Sequence, residues 1–136
     1  YNYPRPNITN CMIRDNGGHG VYHVGTIRNS LIVGNNGWGV YGSYASVINS
    51  TIATNGDGLY QTADIVNSII FFNSNAQITS AQGAVTYSTV MGSYDGEGNI
   101  DQNILEKVKV NNLRRFFLKR FSHIFCISNN TVLVST

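Results

Sequence analysis

Charge and cysteine are what this chain has least of. Only 12 % of its 136 residues are charged, about half the usual share for a globular domain, while 42 % are apolar. That balance excludes a disordered, self-repelling polymer, which combines high charge with few hydrophobic residues. Two cysteines, Cys11 and Cys126, are too few and too far apart for a disulfide framework or a cysteine metal site. No apolar run approaches the roughly 18 residues that a membrane-spanning helix needs, so no membrane span is expected. No signal peptide is visible in the chain either. The chain opens on Tyr1 rather than Met, as an excised piece of a longer protein would, so its compartment stays open.

The net charge of +2 hides two compositions. Residues 1–106 carry Arg5, Arg14 and Arg28 against Asp15, Asp57, Asp64, Asp95, Glu97, Asp101 and Glu106, giving −4. Residues 107–136 carry six basic residues and no acid, giving +6. All fourteen glycines and all eight tyrosines precede residue 104, whereas four of the six phenylalanines follow it. Two regions are expected, 1–103 and 104–136.

What the first region does have is a repeated phrase. An Asn followed by a small residue recurs at Asn10-Cys11, Asn29-Ser30, Asn49-Ser50 and Asn67-Ser68, with Tyr87-Ser88 as a degenerate fifth copy. Two positions before each anchor lies an apolar residue: Ile8, Ile27, Val47, Ile65, Val85. Three positions after it lies another: Ile13, Ile32, Ile52, Ile70, Val90. Asn16, Asn35, Asn55 and Asn73 follow six positions after the first four anchors. Three copies continue as Gly-x-Gly-apolar-Tyr, in GHGVY (18–22), GWGVY (37–41) and GDGLY (56–60), and the fourth decays to NAQIT (75–79). A period near 20 residues outranks any reading element by element.

Between the markers lie short β-branched runs broken by Asn and Gly, which favours strands and leaves no uninterrupted stretch for a helix. The Leu-x-x-Leu-x-Leu signature of a leucine-rich repeat is absent. The remaining solution is an all-β parallel solenoid in which equivalent residues stack about 4.8 Å apart. The Ile and Val columns then form its interior. The serines occupy tight inward corners, and both Asn columns are expected at turns, where Asn tolerates left-handed backbone.

These residues resemble the right-handed parallel β-helix repeats of the pectin lyase-like superfamily, over about residues 7–103. The segment GSYDGEGNIDQN (92–103) is similar to the stretch that closes such arrays before a Pro-Leu-Phe sequence, although Ile104-Leu105 follows here and the proline is missing. The resemblance implies a right-handed, single-stranded parallel β-helix of about five turns in a secreted or cell-surface protein. Its best match is to Asn-rich repeats of large bacterial proteins. It also brings in polysaccharide lyases, polygalacturonase-type hydrolases and mannuronan epimerases as relatives.

In the second region, NNLRRFFLKRFSHIF (111–125) spaces Leu113, Phe117, Phe121 and Phe125 four apart among basic residues, which predicts a short amphipathic helix. Residues 128–136 are expected to add a strand. This tail reads as an end cap, as a non-native continuation, or as a contact for a membrane surface or anionic polymer.

Chemistry in the repeats is sparse. A lyase of that superfamily needs clustered carboxylates for Ca²⁺ and a base beside them, and a hydrolase needs paired carboxylates. Asp15, Asp57 and Asp64 fall in different columns, so no catalytic residue, metal or cofactor is assigned. Asp95, Glu97 and Asp101 cluster in a Gly-rich loop that reads as a solvated closing turn. The acidic repeat region speaks against nucleic acid. Tyr22, Tyr41 and Tyr60 share one outward column, and His19, Trp38 and Asp57 share a second, flanked by glycines that should leave their faces open. Such a row suits the C–H faces of sugars, and suits better a ladder of stacked rings that only stabilises the sheet.

Three functions are therefore carried forward: a non-catalytic scaffold contacting polysaccharide through Tyr22, Tyr41, Tyr60, Trp38 and His19; a fragment of a polysaccharide lyase or glycoside hydrolase; and a purely structural repeat. End-to-end or edge association is expected wherever a solenoid end stays open.

Overall fold

The structure is a computed structural model that describes residues 5–42, 44–92, 94–101, 125–128 and 131–134. The chain divides into two compact units, Tyr1–Gln102 and Asn103–Thr136. In the first, the turn at the N-terminal end is built from β1 (Asn7–Thr9), β2 (Met12–Arg14) and β3 (Val21–Tyr22). The second turn comprises β4 (Thr26–Arg28), β5 (Leu31–Val33) and β6 (Trp38–Tyr41). The third comprises β7 (Ser46–Ile48), β8 (Thr51–Ala53) and β9 (Asp57–Tyr60), and the fourth β10 (Ile65–Val66), β11 (Ile69–Phe71) and β12 (Ile78–Thr79). A fifth turn begins with β13 (Val85–Thr86) and β14 (Thr89–Val90), after which β15 (Ile100–Asp101) pairs with β14.

These strands form three parallel sheets, ordered β1-β4-β7-β10-β13, β2-β5-β8-β11-β14-β15 and β3-β6-β9-β12. The unit is a β-solenoid of four complete turns and a partial fifth, where about five were expected. The shortfall lies in the third sheet. Beyond β14 the backbone enters the left-handed region at Gly92 (φ 91°) and Gly98 (φ 68°), and the returning strand closes the second sheet instead of adding to the third.

Register follows the sequence columns. Ile8, Ile27, Val47, Ile65 and Val85 are successive partners in the first sheet. Ile13, Ile32, Ile52, Ile70 and Val90 are successive partners in the second. Val21, Val40, Leu59 and Ile78 form the third file. Its middle members Val40 and Leu59 have no exposure, nor do Ile27, Val47, Ile65, Ile32, Ile52 and Ile70. Each such side chain contributes roughly 1.5–3 kcal/mol by leaving water. Ile8 and Ile13 in the first turn are only half-buried.

The corners explain the punctuation. Asn10, Asn29, Asn49, Asn67 and Tyr87 all hold φ near +50°, which bears out the left-handed reading of the first Asn column. The second Asn column is a correction. There the left-handed residue is the one before it, in Asp15, Gly34, Thr54 and Phe72. Asn35, Asn55 and Asn73 are instead buried and form an internal amide file. The backbone N–H and Nδ2 of Asn16 both donate to Asn35 Oδ1 (3.1 and 2.8 Å). Asn35 repeats this onto Asn55 (3.0 and 2.8 Å), and Asn55 onto Asn73 (both 3.0 Å).

The last rung needs another acceptor, and Gln77 Oε1 supplies it, 3.2 Å from Asn73 N and 2.8 Å from its Nδ2. Gln77 stands where earlier turns have glycine. A Cβ at Gly39 would lie 2.7 Å from Ile52 Cγ2 and 2.8 Å from Asn55 Nδ2 of the next turn. Only in the last full turn does a longer side chain fit.

A second file runs along the serines. The N–H groups of Cys11, Ser30, Ser50 and Ser68 donate to the hydroxyls of Ser30, Ser50, Ser68 and Ser88 at 3.1–3.2 Å. Ser88 N–H ends the series on Asn99 Oδ1 at 3.0 Å.

In the second unit, β16 (Phe125–Ser128) and β17 (Thr131–Val134) pair antiparallel. The helix expected over 111–125 lies outside the described residues except for Phe125, which is in a strand. The strand expected after residue 128 is the second arm of this hairpin.

Two substitutions separate satisfied from unsatisfied burial. Asn55→Ala strands the two donors of Asn35 and takes one donor from Asn73 Oδ1, and should lower unfolding free energy by about 2–4 kcal/mol. Thr62 has no exposure and its Oγ1 has no hydrogen-bond partner among the described residues, so Thr62→Val should raise it by up to about 1 kcal/mol. Urea titration of both variants measures the opposite signs.

Candidate functional site

The residues singled out in the sequence meet on one face of the solenoid. Tyr22, Tyr41 and Tyr60 are direct partners along β3, β6 and β9. Each follows an inward Val or Leu, and strand alternation turns its ring outward. The ring centroids of Tyr22 and Tyr41 are 5.6 Å apart with planes 9° from parallel, and those of Tyr41 and Tyr60 are 5.0 Å apart at 22°. His19 stacks on Tyr41 at 4.7 Å and 5°. Trp38 is tilted against Tyr60 (5.3 Å, 47°) and Tyr41 (6.2 Å, 57°).

The five residues thus form one cluster over three turns, but not in the expected presentation. The His19 face expected to be open lies on Tyr41, Trp38 only tilts against its neighbours, and the tyrosines cover one another because the strand spacing matches the contact distance of stacked aromatics. What faces water is chiefly ring rims. Tyr22, at the end of the file, is 61 % exposed. Tyr41, Tyr60 and Trp38 are half-buried.

Backbone positions this cluster closely. Trp38 N–H donates to His19 Nδ1 at 3.0 Å, which puts the proton of a neutral imidazole on Nε2. A Cβ on Gly37 would sit 2.6 Å from that Nδ1, so glycine is required for the imidazole to lie beneath the strand. His23, which the sequence reading missed, packs edge-on against Tyr22 at 4.4 Å and 74°. Its adjacency to Tyr22 was the available signal. The file ends at the fourth turn, where Tyr60 pairs with Thr79.

Four of the carboxylates are engaged with neighbouring backbone or side chains. Asp57, opposite Trp38 in register, accepts from Ala76 N–H (3.1 Å) and Asn75 Nδ2 (3.2 Å). Asp64 accepts from Ala84 N–H at 3.0 Å, and Asp15 lies 3.4 Å from Arg14 Nε. Glu97 accepts the Tyr87 hydroxyl at 2.5 Å, a hydrogen bond that raises the phenol above its ordinary range. That contact persists at neutral pH and is lost as alkali ionises the raised phenol. Among the described residues, no three His, Cys, Asp or Glu side chains gather into a metal site. Cys11 is a free, exposed thiol.

No family model, curated protein or solved structure matches this chain. Its site is therefore read from geometry.

The middle and the end of the ring file should respond differently to truncation. Tyr41→Ala removes stacking against His19, Tyr22 and Tyr60 and should destabilise by about 2 kcal/mol, whereas Tyr22→Ala should cost under about 1 kcal/mol. Chemical denaturation measures both.

Proposed function

We propose that this chain is a non-catalytic β-solenoid scaffold of a secreted or cell-surface protein, contacting polysaccharide along its aromatic file. The carrying observation is the cluster of His19, Tyr22, Trp38, Tyr41 and Tyr60 on one outer face, ending in the 61 % exposed Tyr22. Asn, Ser and Asp side chains elsewhere join turn to turn. This leaves the rings as the concentrated chemistry on the surface. The pectin lyase-like resemblance of the repeats supports the same assignment.

The stacking dictates how a glycan would be met. Interior rings offer rims and phenol groups, and a pyranose face packs only on the part of Tyr22 left outside the file. The ring-to-ring advance is comparable with the rise of one sugar along an extended chain, so a glycan lying parallel to the solenoid axis would meet a new ring at each step. The second reading, a purely structural repeat, is favoured by the same stacking, since rings that cover one another already stabilise neighbouring turns.

A panel of soluble polysaccharides titrated against the wild type and Tyr22→Ala separates the two. Contact through the file predicts about a five- to tenfold weaker Kd for Tyr22→Ala, the scale of one lost ring contact, with the fold intact by circular dichroism. Binding by neither protein leaves the structural reading, and equal binding by both moves the polysaccharide contact away from Tyr22.

A further inference from the structure

The third sheet stops one strand short of the other two. It ends at β12, while the fifth turn adds β13 to the first sheet and β14 to the second. The chain continues past this point, and residues 92–101 return to the second sheet through β15. The open edge is therefore set by the path of the chain inside the unit.

The edge has two free main-chain groups. On β9, Leu59 faces the following turn, where its N–H donates to Gln77 O at 2.9 Å. Ile78 stands in register with Leu59, so its own N–H and C=O point to a strand that the fifth turn does not supply. Neither has a partner among the described residues. Beside this edge lies an open cavity of about 320 Å³, lined by Ile78, Val90, Met91 and Tyr94 with Asn75 and Gln77. Ile78 is the fourth inward residue of the third file and Val90 the fifth of the second. The cavity takes the place of a fifth member of the third file.

Charge narrows what fits. From Asn29 to Asp101 the chain holds five carboxylates, Asp57, Asp64, Asp95, Glu97 and Asp101, and no Lys or Arg. Asp57 borders the cavity through Asn75, whose Nδ2 donates to it at 3.2 Å. Exposed Asp95 adjoins the lining residue Tyr94. We infer that the β12 edge is a docking site for an extended basic peptide, which adds a fifth strand to the third sheet and seats one apolar side chain in the cavity. Main-chain bonds to Ile78 set its register, the cavity selects the apolar residue, and the carboxylates select the charge.

The repeat phrase GDGLY (56–60) gives the shape of a probe, because its leucine is buried while the residues at 57 and 60 are only half-buried. Lysine at those two positions gives the peptide Gly-Lys-Gly-Leu-Lys. The test titrates this peptide, labelled with fluorescein, into the full chain at low salt and reads anisotropy. Exchanging both lysines for Glu should weaken binding about tenfold or more. Methylating the last amide nitrogen, which donates to Ile78 O in the parallel register, should also cost about tenfold. Methylating the amide of the first lysine, which points away from β12, should leave Kd unchanged. Bound peptide should slow hydrogen exchange at the Ile78 amide, and Asp95→Lys should weaken binding about threefold or more with an unchanged circular dichroism spectrum. No binding, equal binding of the Glu peptide, equal effects of the two methylations, an unprotected Ile78 amide or an indifferent Asp95→Lys variant would each overturn the inference. So would a dimer that protects Ile78 and that the peptide does not displace, because the edge then belongs to a second copy of the chain.

Discussion

Every feature of the solenoid depends on the amide groups that must be satisfied from one turn to the next. Parallel stacking places each buried polar side chain directly above its copy, and an unpaired amide inside such a stack costs about 1–3 kcal/mol. Asparagine solves the problem because its oxygen accepts from the turn before while its nitrogen donates to the turn after. The Asn35 and Asn55 rungs show this in both directions. Serine accepts from the turn before in the same way, but its hydroxyl donates to a carbonyl of its own turn, and its backbone N–H makes the forward bond. Ser50 Oγ accepts Ser30 N–H at 3.1 Å and donates to Ile48 O at 2.8 Å.

A file with this directionality cannot end on itself. At its last rung the donors still point forward, and a different side chain must receive them. Gln77 and Asn99 are those terminators, one for each file. Both are carboxamides, and both anchor themselves: Gln77 Nε2 donates to Asn73 O, and Asn99 Nδ2 to Val85 O, each at 2.9 Å. The apparent decay of the fourth repeat is thus a functional substitution within the fold. The glycine that makes room for the next asparagine becomes the glutamine that replaces it.

The columns were legible because strand pairing preserves sequence spacing. Ile13, Ile32, Ile52 and Ile70 could be placed in one file from their period alone, and they are so paired. What spacing does not carry is direction within a corner. The asparagines at 35 and 55 and those at 29 and 49 are equally periodic, yet one pair turns the backbone and the other fills the interior. The difference is a single residue of offset from the left-handed position, held by Gly34 and Thr54. Thr54 is an unfavourable choice there, held by its hydroxyl, which donates to Ala53 O at 2.7 Å and accepts Gly34 N–H of the preceding turn at 3.2 Å. Column membership of Tyr22, Tyr41 and Tyr60 was readable in the same way. The covering of their faces was not, because it depends on rotamers and on His19 reaching under β6.

That covering constrains any ligand more than composition does. Stacked strands fix successive rings at 5.0–5.6 Å, and a sugar cannot enter a gap that already equals the contact distance of two aromatic rings. Binding between the rings would require separating two turns, against the parallel ladder and both polar files. Any glycan that bound here would therefore lie along the outside of the file, with affinity from its exposed end and from groups projecting beyond the rims. The rigidity that makes the ladder a good ruler for a polymer also denies each interior ring its face. Selectivity on such a surface would follow the spacing of the ligand more than the identity of any one sugar.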